Sequence, residues 1–190
     1  MKQREQTRVT AGGEAGFSLV ELLIVIVIIA ITAGIASMVV TDVLPTIHAD
    51  SALDMVVSQL QQAHEDAIDQ RRNYLVTFAG THELIINRVN LDGTETQVAD
   101  YFLSSGMTYT VITGVPDTPD GFDSGTPLNF GDGNNLSFNS DGTVFDGAGR
   151  LVNYEVFMAI AGRTTSARAV TVMGATGRLK GYRYNGSTWN

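Results

Sequence analysis

Glu21 is the residue whose chemistry is least at home in its surroundings. It stands between Gly16-Phe17-Ser18-Leu19-Val20 and an apolar run from Leu22 to Val40. The nineteen residues of that run would make ~28 Å of helix, about the thickness of a hydrocarbon core. An ionisable side chain at such a place costs on the order of 3 kcal/mol, so it points to a function. The first expectation is a membrane anchor with an acid near its start.

Other candidate chemistry is thinner. His48 and His64 are sixteen residues apart on one helical stretch, too far for a shared metal, and His82 falls at a turn. No P-loop, nucleophile elbow or paired-His motif occurs, so no catalytic residue, cofactor or metal centre is expected. Asp132, Asn134 and Asn135, with Asp141 nearby, offer the oxygen ligands calcium takes. Their spacing is not that of an EF-hand, and the same residue types build turns, which is the preferred reading. Near the C-terminus Arg178, Lys180 and Arg183 recur close to period 2, so two or three could share a strand face. Tyr182, Tyr184 and Trp189 interleave, a mixture that suits the backbone and bases of DNA. A solvated strand face is the plainer alternative.

The charge is unevenly spread. Residues 42–91 sum to −4, residues 92–150 to −8 and residues 151–190 to +4, within a net charge of −8. An acidic exported domain opposes DNA at long range. There is no cysteine, so neither a disulfide framework nor a thiolate metal site exists. Lys2, Arg4 and Arg8 precede the apolar run and no Lys or Arg occurs after it until Arg71. The positive-inside rule then keeps the N-terminus cytoplasmic and exports the domain beyond the run. A cleaved secretory signal is the competitor, with Gly34-Ile35-Ala36 as a small-x-small site. The apolar run is longer than an ordinary signal core and has an acid at its head, which counts against it.

Gly16-Phe17-Ser18-Leu19-Val20-Glu21-Leu22-Leu23 resembles the processing site of type IV pilins and type II secretion pseudopilins. The resemblance implies cleavage after Gly16 by a prepilin peptidase and N-methylation of the new terminus at Phe17. It also implies that Glu21 faces the Phe17 amine of a neighbouring subunit. A nearby cation favours the charged form of a carboxylate. At ~4 Å and an effective dielectric of ~20 the attraction is about 4 kcal/mol before desolvation. One such pair per subunit would set the axial register of stacked helices better than apolar packing alone. The alternative is a Glu21 that snorkels to headgroups on a plain single-pass anchor. Ala30 with Gly34, and Ala33 with Ser37, are small-xxx-small pairs that let helices approach.

Beyond Pro45, which should kink or locally melt the helix, Leu53, Val56, Val57, Leu60, Ala63, Ala67 and Ile68 recur at helical spacing. One helix from about Ser18 to Arg72 is expected, bent near Pro45, its first half hydrophobic all round and its second half with a single apolar stripe. Strands are expected over Tyr74–Ala79, His82–Val89, Gln97–Leu103, Met107–Thr113, Leu136–Asn139, Leu151–Ala161, Ala169–Met173 and Arg178–Tyr184. Asp92-Gly93, Asp141-Gly142 and Gly174 to Gly177 are turn signals, and Gly114 to Pro127 reads as a surface loop. The fold class is α+β, with a long N-terminal helix packed on one face of an antiparallel β-sheet.

Leu60 to Ile68 with Leu75-Val76-Thr77-Phe78, Leu136 to Gly142, and Ala169 to Lys180 are similar to passages of GspH/FimT-type pseudopilins. His64 departs from the Arg that family members often carry there, which removes any ion pair that Arg would make. The likeness implies a prepilin leader (1–16), a transmembrane and polymerisation helix (17–45) and an exported globular domain (46–190). It implies a minor pseudopilin of a type II secretion system in the inner membrane, with other pilin subunits, prepilin peptidase and membrane lipid as partners. A minor type IV pilin serving pilus assembly or DNA uptake is the alternative. Some FimT-type minor pilins are DNA-uptake receptors with a Gly-Arg-x-Arg segment, and Gly177-Arg178-Leu179-Lys180 is similar, with Lys last. A signal-anchored exported enzyme or binding module is the alternative from another class.

Overall fold

The computed structural model describes residues 16–122, 125–129 and 134–190, with the backbone alone for 37–42. The leader residues 1–15, with Lys2, Arg4 and Arg8, lie outside the described residues, as do Asp132 and the side chain of Ser37. The chain divides into two units, Met1–Thr41 and Asp42–Asn190.

Helix α1 runs unbroken over Leu19–Gln70 with Pro45 inside it. The single helix expected through Pro45 is present, without the local melting that was the alternative to a kink. Proline removes one donor, the one that would reach the Thr41 carbonyl, and the turns on either side continue. In the first unit, Leu19–Ala36 has a mean hydropathy of 2.9 and is long and apolar enough to cross a membrane. Its side chains are exposed all round, from Leu19 to Ile35.

In the second unit the helix is amphipathic. Ala49, Ala52, Leu53, Val56, Leu60, Ala63 and Ala67 are buried at i, i+3, i+4, i+7 spacing, while Ile68 is 42% exposed at the margin of the stripe. The helix ends on Arg71 in the left-handed region (φ 52°). Arg71 N–H bonds to the Ile68 carbonyl (3.3 Å) and Arg72 N–H to the Ala67 carbonyl (3.1 Å), closing the last turn.

Two antiparallel sheets come after the helix, where a single sheet was expected. The first has the order β3-β2-β1-β6-β7. It comprises β1 (Tyr74–Ala79), β2 (Glu83–Val89), β3 (Glu95–Phe102), β6 (Asn135–Phe138) and β7 (Val144–Asp146). The second has the order β10-β9-β8-β4, with β5 also paired to β8. It comprises β4 (Met107–Tyr109), β5 (Leu128–Asn129), β8 (Tyr154–Ile160), β9 (Arg168–Met173) and β10 (Arg178–Arg183). The three turn signals fall between β2 and β3, β6 and β7, and β9 and β10. Strands β5 and β7 were not foreseen, because two or three residues are too short to show alternation. Strand β4 stops at Tyr109 rather than Thr113, since the chain then crosses the outer face of the second sheet.

The helix stripe and the inner faces of both sheets share one core, with Phe78 and Leu84 from the first sheet and Val156 and Val170 from the second. Gly174 joins the parts. Its carbonyl accepts from Val144 N–H of β7 (2.8 Å) and its N–H donates to Asn153 Oδ1 (3.0 Å). A Cβ at Gly174 would stand 2.3 Å from the Val152 carbonyl oxygen, so only glycine fits.

Charge holds the helix to the second sheet at the start of the helix's buried half. Asp50 Oδ1 accepts from Arg168 Nε and from Arg183 Nε, both at 2.9 Å, and Asp54 Oδ1 accepts from Arg183 Nη2 at 2.7 Å. Arg168 is 3% exposed and also donates from Nη1 to the carbonyls of Thr165 (2.9 Å) and Ala167 (2.8 Å). Farther along, His64 Nε2 bonds to the Gly142 carbonyl (3.0 Å), and its ring lies 5.3 Å from that of Phe138. The histidine thus packs under both the β6–β7 and β9–β10 turns, where a Cβ on Gly177 would overlap it.

Two outcomes are expected in urea unfolding of the detergent-solubilised chain. Gly174→Ala should cost about 3 kcal/mol, because the added methyl meets backbone that has no room to yield. Asp50→Ala should cost about 2 kcal/mol, because it strands the buried Arg168 guanidinium.

Candidate functional site

The helix begins with the Leu22 N–H bonding to the Ser18 carbonyl (3.1 Å). Glu21 lies in the first turn, where unpaired N–H groups and the helix dipole favour an anion. Phe17, Glu21, Leu22 and Val25 line one shallow hollow on the helix surface, so Phe17 and Glu21 share a face. Phe17 is 82% exposed, and nothing would crowd a Cβ on Gly16. Glu21 has no ion pair with another described residue. The three positions singled out in the sequence, Gly16, Phe17 and Glu21, therefore lie together in an accessible segment. Ala30, Ala33 and Gly34 are exposed on the same helix.

The basic residues of β10 do not form one surface. Alternation puts Arg178 and Lys180 on the outer face and Arg183 on the helix face, where it meets Asp50 and Asp54. Lys180 Nζ is 2.8 Å from Asp120 Oδ1 and donates to the Tyr182 hydroxyl (3.2 Å). Two of the three cations are thus neutralised by neighbouring carboxylates. Arg178 is exposed and is involved in none of the salt bridges found among the described residues.

Asp141 accepts from the N–H and hydroxyl of Thr143 and so serves the β6–β7 turn. The Asn134 carbonyl accepts from Phe78 N–H at 2.9 Å. No group of three His, Asp or Glu side chains suited to a metal ion occurs among the described residues. His82 Nδ1 is 3.1 Å from the Thr81 hydroxyl at the β1–β2 turn.

Sequence reasoning passed over Asp50, Asp120, Arg168 and Glu155. The first three meet partners 51 to 133 residues away, a distance that leaves no local pattern. Glu155 did leave a signal: it is the one acid in the otherwise apolar strand Tyr-Glu-Val-Phe-Met-Ala-Ile.

Comparison with known proteins bears on both units. The model of the prokaryotic N-terminal methylation motif matches residues 12–37. No curated protein matches the chain. The type IV minor pilin FimU of Pseudomonas aeruginosa has a similar structure, with a TM-score of 0.50 and 17% identity over 74% of this chain and 91% of that one. The minor pseudopilin EpsH from the type 2 secretion system of Vibrio cholerae gives a TM-score of 0.49 and 15% identity, over 72% and 97%. At such identity the FimU likeness speaks to the fold, and the matched motif speaks to the N-terminus. The chain thus carries the N-terminal methylation motif and has a fold like that of a type IV minor pilin.

Proposed function

We propose that this chain is a structural subunit of a pilin-type filament, released for assembly by cleavage after Gly16 and methylated on the freed Phe17 amine. The observation that carries this reading is Glu21, a carboxylate in the first turn of an exposed apolar helix and within the matched motif. Cleavage creates a cation at the end of the same helix. A methylated amine keeps its positive charge, so it can still pair with a carboxylate. In a bundle of such helices the Phe17 amine of one subunit meets Glu21 of the next, and each relieves the desolvation of the other. The exposed apolar side chains are covered by lipid before assembly and by neighbouring helices after it. In this reading the N-terminus is cytoplasmic, the helix over 17–45 sits in the inner membrane, and residues 46–190 are exported.

Of the two machines that use such subunits, we favour the type II secretion pseudopilus, with this chain as a minor pseudopilin. The second reading is a minor type IV pilin, and its DNA-uptake form draws on Gly177-Arg178-Leu179-Lys180. The ion pairs of Lys180 with Asp120 and of Arg183 with Asp50 and Asp54 weigh against that form, because a phosphate would have to displace a carboxylate at each.

Glu21→Val should abolish incorporation into filaments while leaving membrane insertion and domain stability unchanged, as read by sheared-filament immunoblots and membrane fractionation. Normal incorporation of the variant would refute the register role. Arg178→Ala with Lys180→Ala should leave DNA affinity unchanged at every salt concentration tested. A salt-dependent loss of binding would move the assignment to uptake.

A further inference from the structure

Strand β8 is buried on both faces. Tyr154, Val156 and Met158 join the core shared with α1, and Glu155, Phe157 and Ala159 point the other way. That outer face is roofed by the chain after β4 and by the C-terminal hairpin. Val111, Ile112 and Val115 pack on it, as does Trp189. The Trp189 indole lies 6.0 Å from the Phe157 ring, 6.5 Å from Tyr182 and 5.2 Å from Tyr184, and its Nε1–H donates to the Pro116 carbonyl (2.8 Å). Residues 114–122 of the segment expected to be a surface loop are therefore a strap. Asp120 fastens it, accepting from the Thr171 hydroxyl (2.6 Å) and from Lys180 Nζ (2.8 Å).

Beneath the strap lies Glu155, 0% exposed. Neither of its carboxyl oxygens has a hydrogen-bond partner among the described residues, and the Thr118 hydroxyl, itself buried, adjoins it without reaching bonding geometry. The groups that face Glu155 are Asp117, Thr118 and Asp120 of the strap, Thr171 opposite it on β9, and Asn129 opposite it on β5. From β10, Lys180 is committed to Asp120 and the Tyr182 hydroxyl. Burial pushes the Glu155 carboxyl up to about 8; the neighbouring Thr118 hydroxyl opposes the rise, while the Asp117 carboxyl, by its charge and as a hydrogen-bonding neighbour, and the charge of Asp120 add to it. For Asp120 burial also opposes ionisation, but the hydrogen bonds from Lys180 and Thr171 outweigh it and hold its carboxyl below the ordinary range. One acid is thus kept charged as a fastener while the other is kept neutral beneath it.

We propose that the 114–122 strap is a pH-sensitive cover, closed while Glu155 is neutral and released when Glu155 ionises, which uncovers the β8–β9 face around Glu155 and Thr171 and frees the Trp189 indole from the Pro116 carbonyl. The sign comes from linkage. A carboxyl raised from 4.5 to about 8 in the folded chain gives up its proton first in the unfolded chain. Its contribution is fully present below 4.5 and is lost as pH climbs towards 8. Above that, a bare carboxylate stands between two other acids, and lifting the strap lets water reach it.

Trp189 is the chain's one tryptophan, so its fluorescence reads the strap directly. The full chain in detergent is titrated from about pH 6 to 9, beside Glu155→Gln, which keeps the size and polarity of a neutral carboxyl. The wild-type emission maximum should move to longer wavelength with a midpoint near 8, and the variant should show no transition. Amide exchange on the wild-type chain gives a second reading that does not depend on the variant folding. Protection beyond the chemical rate change should fall in 110–122 and 184–190 and hold in β1 to β3. A flat wild-type titration, the same transition in Glu155→Gln, or protection unchanged in the strap would each overturn the proposal.

Discussion

One helix must satisfy two solvents. Each turn of α1 carries apolar side chains, but among the described residues only those from Ala49 to Ala67 are buried against protein. From Leu19 to Ile35 the apolar side chains stay exposed, each leaving about 1.5–3 kcal/mol of burial unrealised in water. Such a surface persists only against lipid or other helices. Glu21 adds the second half of the constraint, because an acid in that setting needs a positive partner that the described chain does not supply.

The globular unit is built so that the other half of the helix cannot slide. The stripe supplies undirected attraction, and direction comes from fixed points at both ends. Asp50 meets Arg168 and Arg183 near the start of the buried half, and His64 lies under two hairpin turns near its end. Gly174 then ties β7 of one sheet to the end of β9 in the other. Lys180 of β10 and Asp120 of the strap are spent on one another, while Arg183 turns to the helix acids Asp50 and Asp54 and Arg178 stays exposed.

Much of this was legible in the sequence. The Gly16-to-Glu21 pattern, the apolar run and the i, i+3, i+4 stripe are local signals, and the structure places a helix on all of the last two. The longer strands could be read from β-branched and aromatic residues between turn signals. The division into two sheets could not, because it depends on pairings such as Tyr74 with Phe138 that leave no mark on neighbouring residues. The period-2 spacing of Arg178, Lys180 and Arg183 was real but incomplete information: it placed two on one face without showing the acids that would meet Lys180 and Arg183. Pro45 did not hide the helix: the periodicity on both sides reads as one element, and the structure has one helix over Leu19–Gln70.

Filament assembly in this scheme depends on a charged chain end made at Phe17, and intact-mass and N-terminal peptide analysis of the protein purified from its native membrane tests it most directly. The predicted result is a chain that begins at Phe17 with a methyl group on its amine. A chain that keeps residues 1–16, or one that begins near Ser37, would contradict it.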